Sequence, residues 1–343
     1  MDPIVSIIIV NFNGLSFLPA CLSSLENVSS PVYQLIIVDN ASTDGSVPYL
    51  QTLKNCEVHY NKNNSGFAGG NNIGLRLAKG RFVLLLNSDT IVNPGFLQPL
   101  VDYLLANPGV GIVQGKMALP NYDGTLDVCG GFLTQMGFLY HYGYFKRDQP
   151  LYQRSYPVFT AKGACLMFRR ELIERVGGFL FNEGFFCYYE ETEFCHRSWI
   201  AGFETHFVCS PTIQHCMGST STKHQPNGFV LRQFLANQTF SLLANLSWSS
   251  RFSILPFYFA LFFTSLGASI LTGKTVVAGA HLFALKRIWV RRGEIKAQRK
   301  MIARIRKNSD AEIFRLVKRT PKLSYFLLTF RGKLAEYKDA ILE

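Results

Sequence analysis

The chain has 343 residues, enough for one large domain or two ordinary ones, and its 35 Lys and Arg against 23 Asp and Glu leave a formal charge of +12. Apolar residues make up 48% and charged residues 17%, which excludes intrinsic disorder, a collagen-like repeat and a coiled coil as descriptions of the whole. The charge is uneven: residues 1–245 hold 16 basic and 17 acidic side chains, whereas 246–343 hold 19 basic and 6 acidic, so the first part is −1 and the second +13.

Over the first 115 residues short β-branched runs alternate with helical patterns, which predicts strands joined by crossover helices in a parallel sheet. The strands are expected at 4–10, 34–38, 57–60, 81–86 and 111–113, and Leu15, Leu18, Leu22 and Leu25 form the apolar stripe of the first helix. The N-terminal run has no positive region before it and stops at Asn11, too short for a signal peptide or a span, so the first domain is expected to stay in the cytosol. Residues 116–160 are Gly- and Tyr-rich without a period and predict loops and irregular strands over one end of the sheet. A strand at 164–168, a short helix at 171–176, a helix at 190–201 and a strand near 205–209 follow. The eight cysteines contain no CxxC pair and are expected as reduced thiols, mostly in the core.

In such a sheet ligands bind beyond the carboxyl ends of the strands, so the polar residues that close strands one, two and four are the ones to weigh. Strand one runs SIIIVNFNG (6–14) and strand two LIIVDNASTDGS (35–46), placing Asp39 to accept from a base N–H and Phe12 to stack on the base. The competing reading is that Asp39, Asn40 and Asp44 cap a turn and the next helix. Strand four ends LLLNSDT (84–90), where the Asp89 carboxylate can hold a divalent cation bridging phosphates, or else cap the helix beginning near Pro94. The segment NNSGFAGGNNIG (63–74) offers glycines and amides, among them Gly66 and Asn71, where a backbone can approach a phosphate or sugar. Glu190, Glu191 and Glu193 follow an aromatic run; crowded carboxylates raise at least one proton affinity, which suits a general base, although a negative first helical turn is also favoured by the helix dipole. His215, between a strand and a Gly/Ser loop, can complete a metal site with Asp89 or serve a structural role.

The order of these segments, with KGACLMFRRELIERVGGF (162–179) and FFCYYEETEFCHRSWIAG (185–202) between them, resembles glycosyltransferase family 2, and most of all its rhamnosyltransferase-like branch of bacterial envelope polysaccharide enzymes. The resemblance implies the α/β GT-A nucleotide-diphospho-sugar transferase fold for a catalytic domain over 1–230; beyond it, over 231–343, the sequence turns helical and apolar, then helical and basic, which is expected to form a membrane-associating region. It places the nucleobase against Val10, Asn11, Phe12 and Asp39, the Asp-x-Asp metal motif on Asn87-Ser88-Asp89 and the catalytic acidic pair on Glu190-Glu191. Glu191 becomes the base, and Asp89 with His215 the ligands of Mg²⁺ or Mn²⁺. Three departures stand out: Asn87 replaces an aspartate, Glu191 and Glu193 stand where aspartate is usual, and GGFLFNEGFF is two residues longer than the usual pattern, with Asn182 for aspartate.

The implied reaction is inverting transfer of a sugar from a nucleotide diphosphate donor to a hydroxyl of a lipid-linked or polysaccharide acceptor. Rhamnose is the favoured sugar, with galactofuranose, glucose or an N-acetylhexosamine carried by UDP behind it. A rival of another class is a non-catalytic nucleotide-sugar-binding membrane partner of a glycan assembly complex.

The segment 252–273 carries no formal charge and is long enough to cross a bilayer of about 30 Å. A single crossing would put the basic cluster from Lys286 to Lys307 outside the cell, against the positive-inside rule, so a re-entrant or interfacial hairpin on the cytoplasmic face of the cell membrane is expected. Its basic helices would lie on anionic headgroups. A buried helical pair in a soluble domain is the alternative, and a nucleic-acid partner is disfavoured because the positive charge adjoins an apolar run rather than a polar, aromatic-studded surface.

Overall fold

The computed structural model describes residues 3–216, 227–330 and 336–342. The Gly/Ser part of the loop after His215 falls outside the described residues. Eight strands form the central sheet: β1 (Val5–Asn11), β2 (Tyr33–Asp39), β3 (Glu57–Tyr60), β4 (Phe82–Leu86), β5 (Val110–Gln114), β6 (Tyr156–Pro157), β7 (Cys165–Arg169) and β8 (Glu204–Phe207). They lie in the order β6-β8-β5-β7-β4-β1-β2-β3. β1 pairs in parallel with β2 and β4, and β2 with β3, as the crossover pattern predicts. The sheet is nonetheless mixed, because β7 runs antiparallel between β4 and β5.

β1 reads as an unbroken apolar run because both its faces are covered. Ile7 and Ile9 enter one core with α1 (Leu18–Glu26), while Ile8 enters the opposite core beneath α3 (Gly66–Leu77). Two of the helix's glycines have a packing reason. A Cβ at Gly70 would stand 2.7 Å from a Val10 methyl, and one at Gly74 would stand 2.4 Å from Ile8, so only hydrogen lets α3 lie this close to β1.

The remaining helices are α2 (Ser46–Gln51), α4 (Leu97–Ala106), α5 (Leu172–Arg175), α6 (Glu190–Ile200), α7 (Phe229–Asn245), α8 (Trp248–Leu271), α9 (Thr275–Val290), α10 (Arg292–Ile305), α11 (Asp310–Val317) and α12 (Leu323–Phe330). Residues 116–160 are more ordered than their composition suggests. They form short strands at Gly131–Thr134 and Leu139–His141 and bury Tyr140, Tyr142, Tyr152 and Tyr156 in one aromatic cluster. That cluster continues through Leu235, Tyr258, Ala280 and Tyr325, so apolar packing runs unbroken across residue 230. The far end of the chain closes it: Asp339 accepts from the hydroxyls of Tyr140 (2.6 Å) and Tyr152 (2.8 Å) and from the Gly143 N–H (2.8 Å).

α8 and α9 form a hairpin laid on α7. α8 is long and apolar enough to cross a membrane, and only 28% of its most apolar stretch is buried inside the protein. Phe252, Phe257, Phe263 and Leu271 project from it at 52–88% exposure. The basic cluster divides. Lys286, Arg292, Lys296, Lys300, Arg304 and Lys307 are exposed, but Arg287 and Arg291 turn back to donate to the Gly184 carbonyl at 2.7 and 3.0 Å, and Arg306 pairs with Asp310 at 2.6 Å. For those three the expectation of a headgroup contact is corrected, since their guanidinium groups satisfy protein acceptors. All eight cysteines are free thiols and four of them are buried, fewer than the core assignment expects.

Candidate active site

The carboxyl ends of β1, β2 and β4 open onto a cleft of about 570 Å³ whose wall includes Val10, Phe12, Gly66, Asn87, Asp89, Glu190, Glu191 and His215. The fold therefore gathers eight of the eleven residues proposed from sequence around one space. The other three do not line it. Asn11 and Asp39 are buried at the register partners that end β1 and β2, where the Asn11 amide donates to Asp39 Oδ1 at 2.8 Å and the Ser42 N–H donates to Oδ2 at 3.0 Å. Asn71 is buried inside α3 and donates to the Phe67 carbonyl one turn back at 2.9 Å, which removes it from the cleft wall. Asp44 takes the capping role, accepting from the N–H groups of Leu15 (2.8 Å) and Ser46 (3.0 Å). Asn40 is the hub of the loop: it donates to the Gly66 carbonyl and accepts from Asn61 and Ser65.

A second, small sheet assembles the other end of the cleft. The strand Ile213–His215 pairs with Thr90–Ile91 on one side and Met117–Leu119 on the other, which sets His215 beside Asp89. His215 Nε2 lies 3.4 Å from Asp89 Oδ1 and 3.4 Å from the Asn87 amide nitrogen. α4 begins only at Leu97 with Phe96 at its cap, so Asp89 is not spent on capping it. Behind the ring, His215 Nδ1 meets Asp127 Oδ2 at 2.8 Å, and both Asp127 oxygens accept from Lys162 Nζ at 2.7 Å. Burial alone would push the Asp127 carboxyl up. The Lys162 charge and the His215 bond outweigh it and hold the group far below the usual carboxylate range.

This arrangement fits a divalent cation. A carboxylate behind a histidine fixes its tautomer and aims the other nitrogen, the usual support of a ligating imidazole. Among the described residues no group of three or more His, Cys, Asp or Glu forms a ready-made cage, so protein donors supply only part of a shell. Oxygen-preferring cations at phosphate sites complete their shell from phosphate and water.

α6 opens with three glutamates that part ways. Glu193 turns inward and is fully buried against Arg197 at 2.9 Å, with Gln298 and Asn245 also donating to it. Glu190 and Glu191 face the cleft, and the Oε2 atom of each is buried without a hydrogen bond among the described residues. Burial, then repulsion from Glu191, pushes the Glu190 carboxyl well up, and burial raises Glu191 to about 7 despite Lys162.

The turn before them is strained. Phe186, Tyr188 and Tyr189 all take positive φ (63°, 67° and 74°), a conformation L side chains avoid. One side chain holds it: the Asn237 amide, buried in α7, donates to the carbonyls of Phe185, Cys187 and Tyr188 at 3.0, 3.0 and 2.7 Å. Sequence reasoning missed Asp127 and Asn237 and gave Lys162 no role, though Lys162 opens one of the segments that carry the resemblance.

The comparisons with known proteins agree with this geometry. The profile described as Glycosyl transferase family 2 matches residues 6–177. Among curated proteins, the low-salt glycan biosynthesis hexosyltransferase Agl10 of Haloferax volcanii is 30% identical over 209 residues, 56% of this chain and 61% of that protein. The putative teichuronic acid biosynthesis glycosyltransferase TuaG of Bacillus subtilis is 32% identical over 107 residues, 30% of this chain and 42% of its own. The matched region spans less than two thirds of either relative. Among solved structures, GalNAc-T7 with UDP, GalNAc and Mn²⁺ superposes with a TM-score of 0.64 at 14% identity, covering 96% of this chain and 58% of that one. Residues 1–349 of S. aureus TarS with UDP-GlcNAc give 0.55 at 15%, covering 88% of each. At these identities the likeness is one of fold, a mixed α/β sheet flanked by helices of the GT-A kind. The sheet, the cleft at its carboxyl edge and the profile match over half of the chain converge on one assignment: this chain belongs to glycosyl transferase family 2.

Proposed function

We propose that the chain is an inverting glycosyltransferase that moves a sugar from a nucleotide diphosphate donor to a hydroxyl of a lipid-linked or polysaccharide acceptor in cell-envelope glycan assembly. The observation that carries this reading is one cleft lined both by carboxyls of raised proton affinity, Glu190 and Glu191, and by the Asp89–His215 pair. Glu191 accepts the proton of the acceptor hydroxyl, that oxygen bonds to the anomeric carbon, and the bond from that carbon to the diphosphate oxygen breaks on the opposite face, releasing the nucleoside diphosphate with inversion. Burial and mutual repulsion raise the proton affinity of the Glu190–Glu191 pair, which suits it to accept the proton of an acceptor hydroxyl. Phe12 and Val10 receive the nucleobase. A divalent cation, Mg²⁺ or Mn²⁺, held by Asp89 and His215 would neutralise charge on the diphosphate. Asn87 stands beside it as an amide, so the chain offers that cation one carboxylate rather than two.

The donor- and cation-binding residues and Glu191 lie within 1–230, while the region 231–343 packs against that part and brings the enzyme to the cytoplasmic face of the cell membrane. The exposed apolar face of α8, with exposed cations on α10, matches an interfacial hairpin on anionic lipid. dTDP-rhamnose is the donor that the resemblance favours, and UDP-sugars are its competitors.

Thermal unfolding with UDP, dTDP, GDP and CDP, each with and without Mn²⁺, tests the reading. A nucleotide at a hundred times its dissociation constant adds about 2.7 kcal/mol. Metal-dependent stabilisation by one nucleotide is expected, dTDP pointing to rhamnose. Stabilisation without transfer to any acceptor would make the chain a binding partner instead, and no stabilisation by any of the four would overturn the donor site.

A further inference from the structure

A second cavity of about 230 Å³ adjoins the cleft and shares His141, Tyr144, Lys162, Tyr188 and Glu191 with it. The rest of its wall includes Thr160, Thr192 and the rings of Tyr189 and Phe234, which meet edge to face at 5.4 Å. Glu191 thus stands at the border of two spaces, a large one carrying the cation donors and a small aromatic one.

We infer that the small cavity seats the acceptor and that the acceptor group placed there is an uncharged sugar residue, lying with its C–H face on aromatic rings and sending one hydroxyl to Glu191. This rests on the proposed transferase function and deepens it. A pyranose carries an apolar face and a rim of hydroxyls, and the wall answers both with rings on one hand and the Glu191 carboxyl and the His141 imidazole on the other. Charge excludes the acidic alternatives. Among the described residues the only ammonium or guanidinium on this wall is Lys162, already engaged by Asp127, so a uronate or phosphate would meet the Glu191 carboxylate with no fresh cation to balance it. His141 adds no charge, because burial pulls its imidazole down to about 4 and leaves it neutral, able to donate to or accept from a hydroxyl. The strand that carries it is pinned from the distant end of the chain. The Tyr325 hydroxyl accepts from the His141 N–H at 3.1 Å and donates to the Leu139 carbonyl at 3.0 Å, so the wall is preformed.

Saturation-transfer NMR on the full-length protein, with methyl glycosides as probes and with and without the stabilising nucleotide, decides the matter. Neutral methyl pyranosides should give saturation on their C–H face protons, and methyl glucuronide should give none. Phe234→Ala should weaken the neutral glycosides about tenfold, the size of one lost ring contact, while nucleotide affinity is unchanged. Phe234→Leu, which keeps the bulk and guards against misfolding, should weaken them as well. Equal binding of methyl glucuronide, absence of glycoside binding, or indifference to both Phe234 variants would overturn the inference. Nucleotide binding on the same samples separates the two failures. Nucleotide bound with no glycoside bound sinks only the acceptor site, whereas no nucleotide bound sinks the transferase reading while the glycoside signals still judge the cavity.

Discussion

Replacing Glu191 by glutamine should change stability in a way that depends on pH. Burial raises the Glu191 carboxyl from 4.5 to about 7, and at about 1.4 kcal/mol per tenfold change in proton affinity that distance is about 3 kcal/mol. The folded protein binds this proton more tightly than the unfolded chain does. The stabilisation is therefore complete below pH 4.5 and is lost as pH rises through about 7. Glutamine does not titrate, so the variant escapes the loss. Removing the charge also relieves Glu190, whose carboxyl is raised by burial and then by Glu191, and this acts in the same direction. Any constant cost of seating a buried amide cancels when the gap between variant and wild type is compared at two pH values.

The gap should move in the variant's favour by about 3 kcal/mol between pH 5 and pH 8, or about 4 °C in Tm for a chain of 343 residues. Reversible unfolding in EDTA without nucleotide is the assay, with transfer measured in parallel. The variant should keep nucleotide binding and lose turnover. A gap that is flat or narrows on going to pH 8 would refute the claim that burial raises the proton affinity of this carboxyl, and wild-type turnover would remove Glu191 as the base.

Three further outcomes are expected. Asn237→Ala removes the two amide hydrogens that three carbonyls of the left-handed turn share, so stability should fall by about 2–3 kcal/mol and kcat at least tenfold, with nucleotide Kd unchanged; turnover equal to wild type would show that the turn holds its shape unaided. Asp127→Asn takes the charge from behind His215 and from Lys162 and should weaken the Mn²⁺-dependent part of nucleotide binding about 10- to 100-fold, read by titrating Mn²⁺ at fixed nucleotide; an unchanged titration would free Asp127 of this role. The double change Phe257→Glu and Phe263→Glu puts carboxylates on the exposed face of α8 and should make the protein extractable from membranes by salt, where wild type should resist both salt and carbonate; equal extraction would overturn a membrane contact through this face.

The central sheet was legible because both faces of β1, β2 and β4 are covered, which forces apolar runs that stop sharply at Asn11, Asp39 and Asn87. Asp89 and His215 were legible as types at spacings, but their meeting depends on pairing between strands of two and three residues that leave no period to read. Asp127 was invisible for the same reason: its N–H bonds to the Met117 carbonyl beside that pairing, within a stretch of no recognisable pattern. Asn237 was hidden by burial itself. α7 is covered on nearly every side, so its amides point to internal partners all round, Gln238 to the Gly137 carbonyl and Asn245 to Glu193, and no polar face marks it. Arg287 and Arg291 misled in the opposite sense, as members of a cationic run that nonetheless serve the loop before Glu190 and Glu191.

The clasp of Asp339 on Tyr140, Tyr152 and Gly143 ties a wall beside the cleft to residues synthesised about 200 positions later, a delay of about 10–40 s at 5–20 residues per second. By then the α8–α9 hairpin has left the ribosome. The order of synthesis therefore sets an order of assembly: the strand that carries His141 can be pinned only after the α8–α9 hairpin has been made. Nascent chains stalled before Tyr325 should bind nucleotide and fail to transfer sugar, and full transfer by such a chain would contradict this timing.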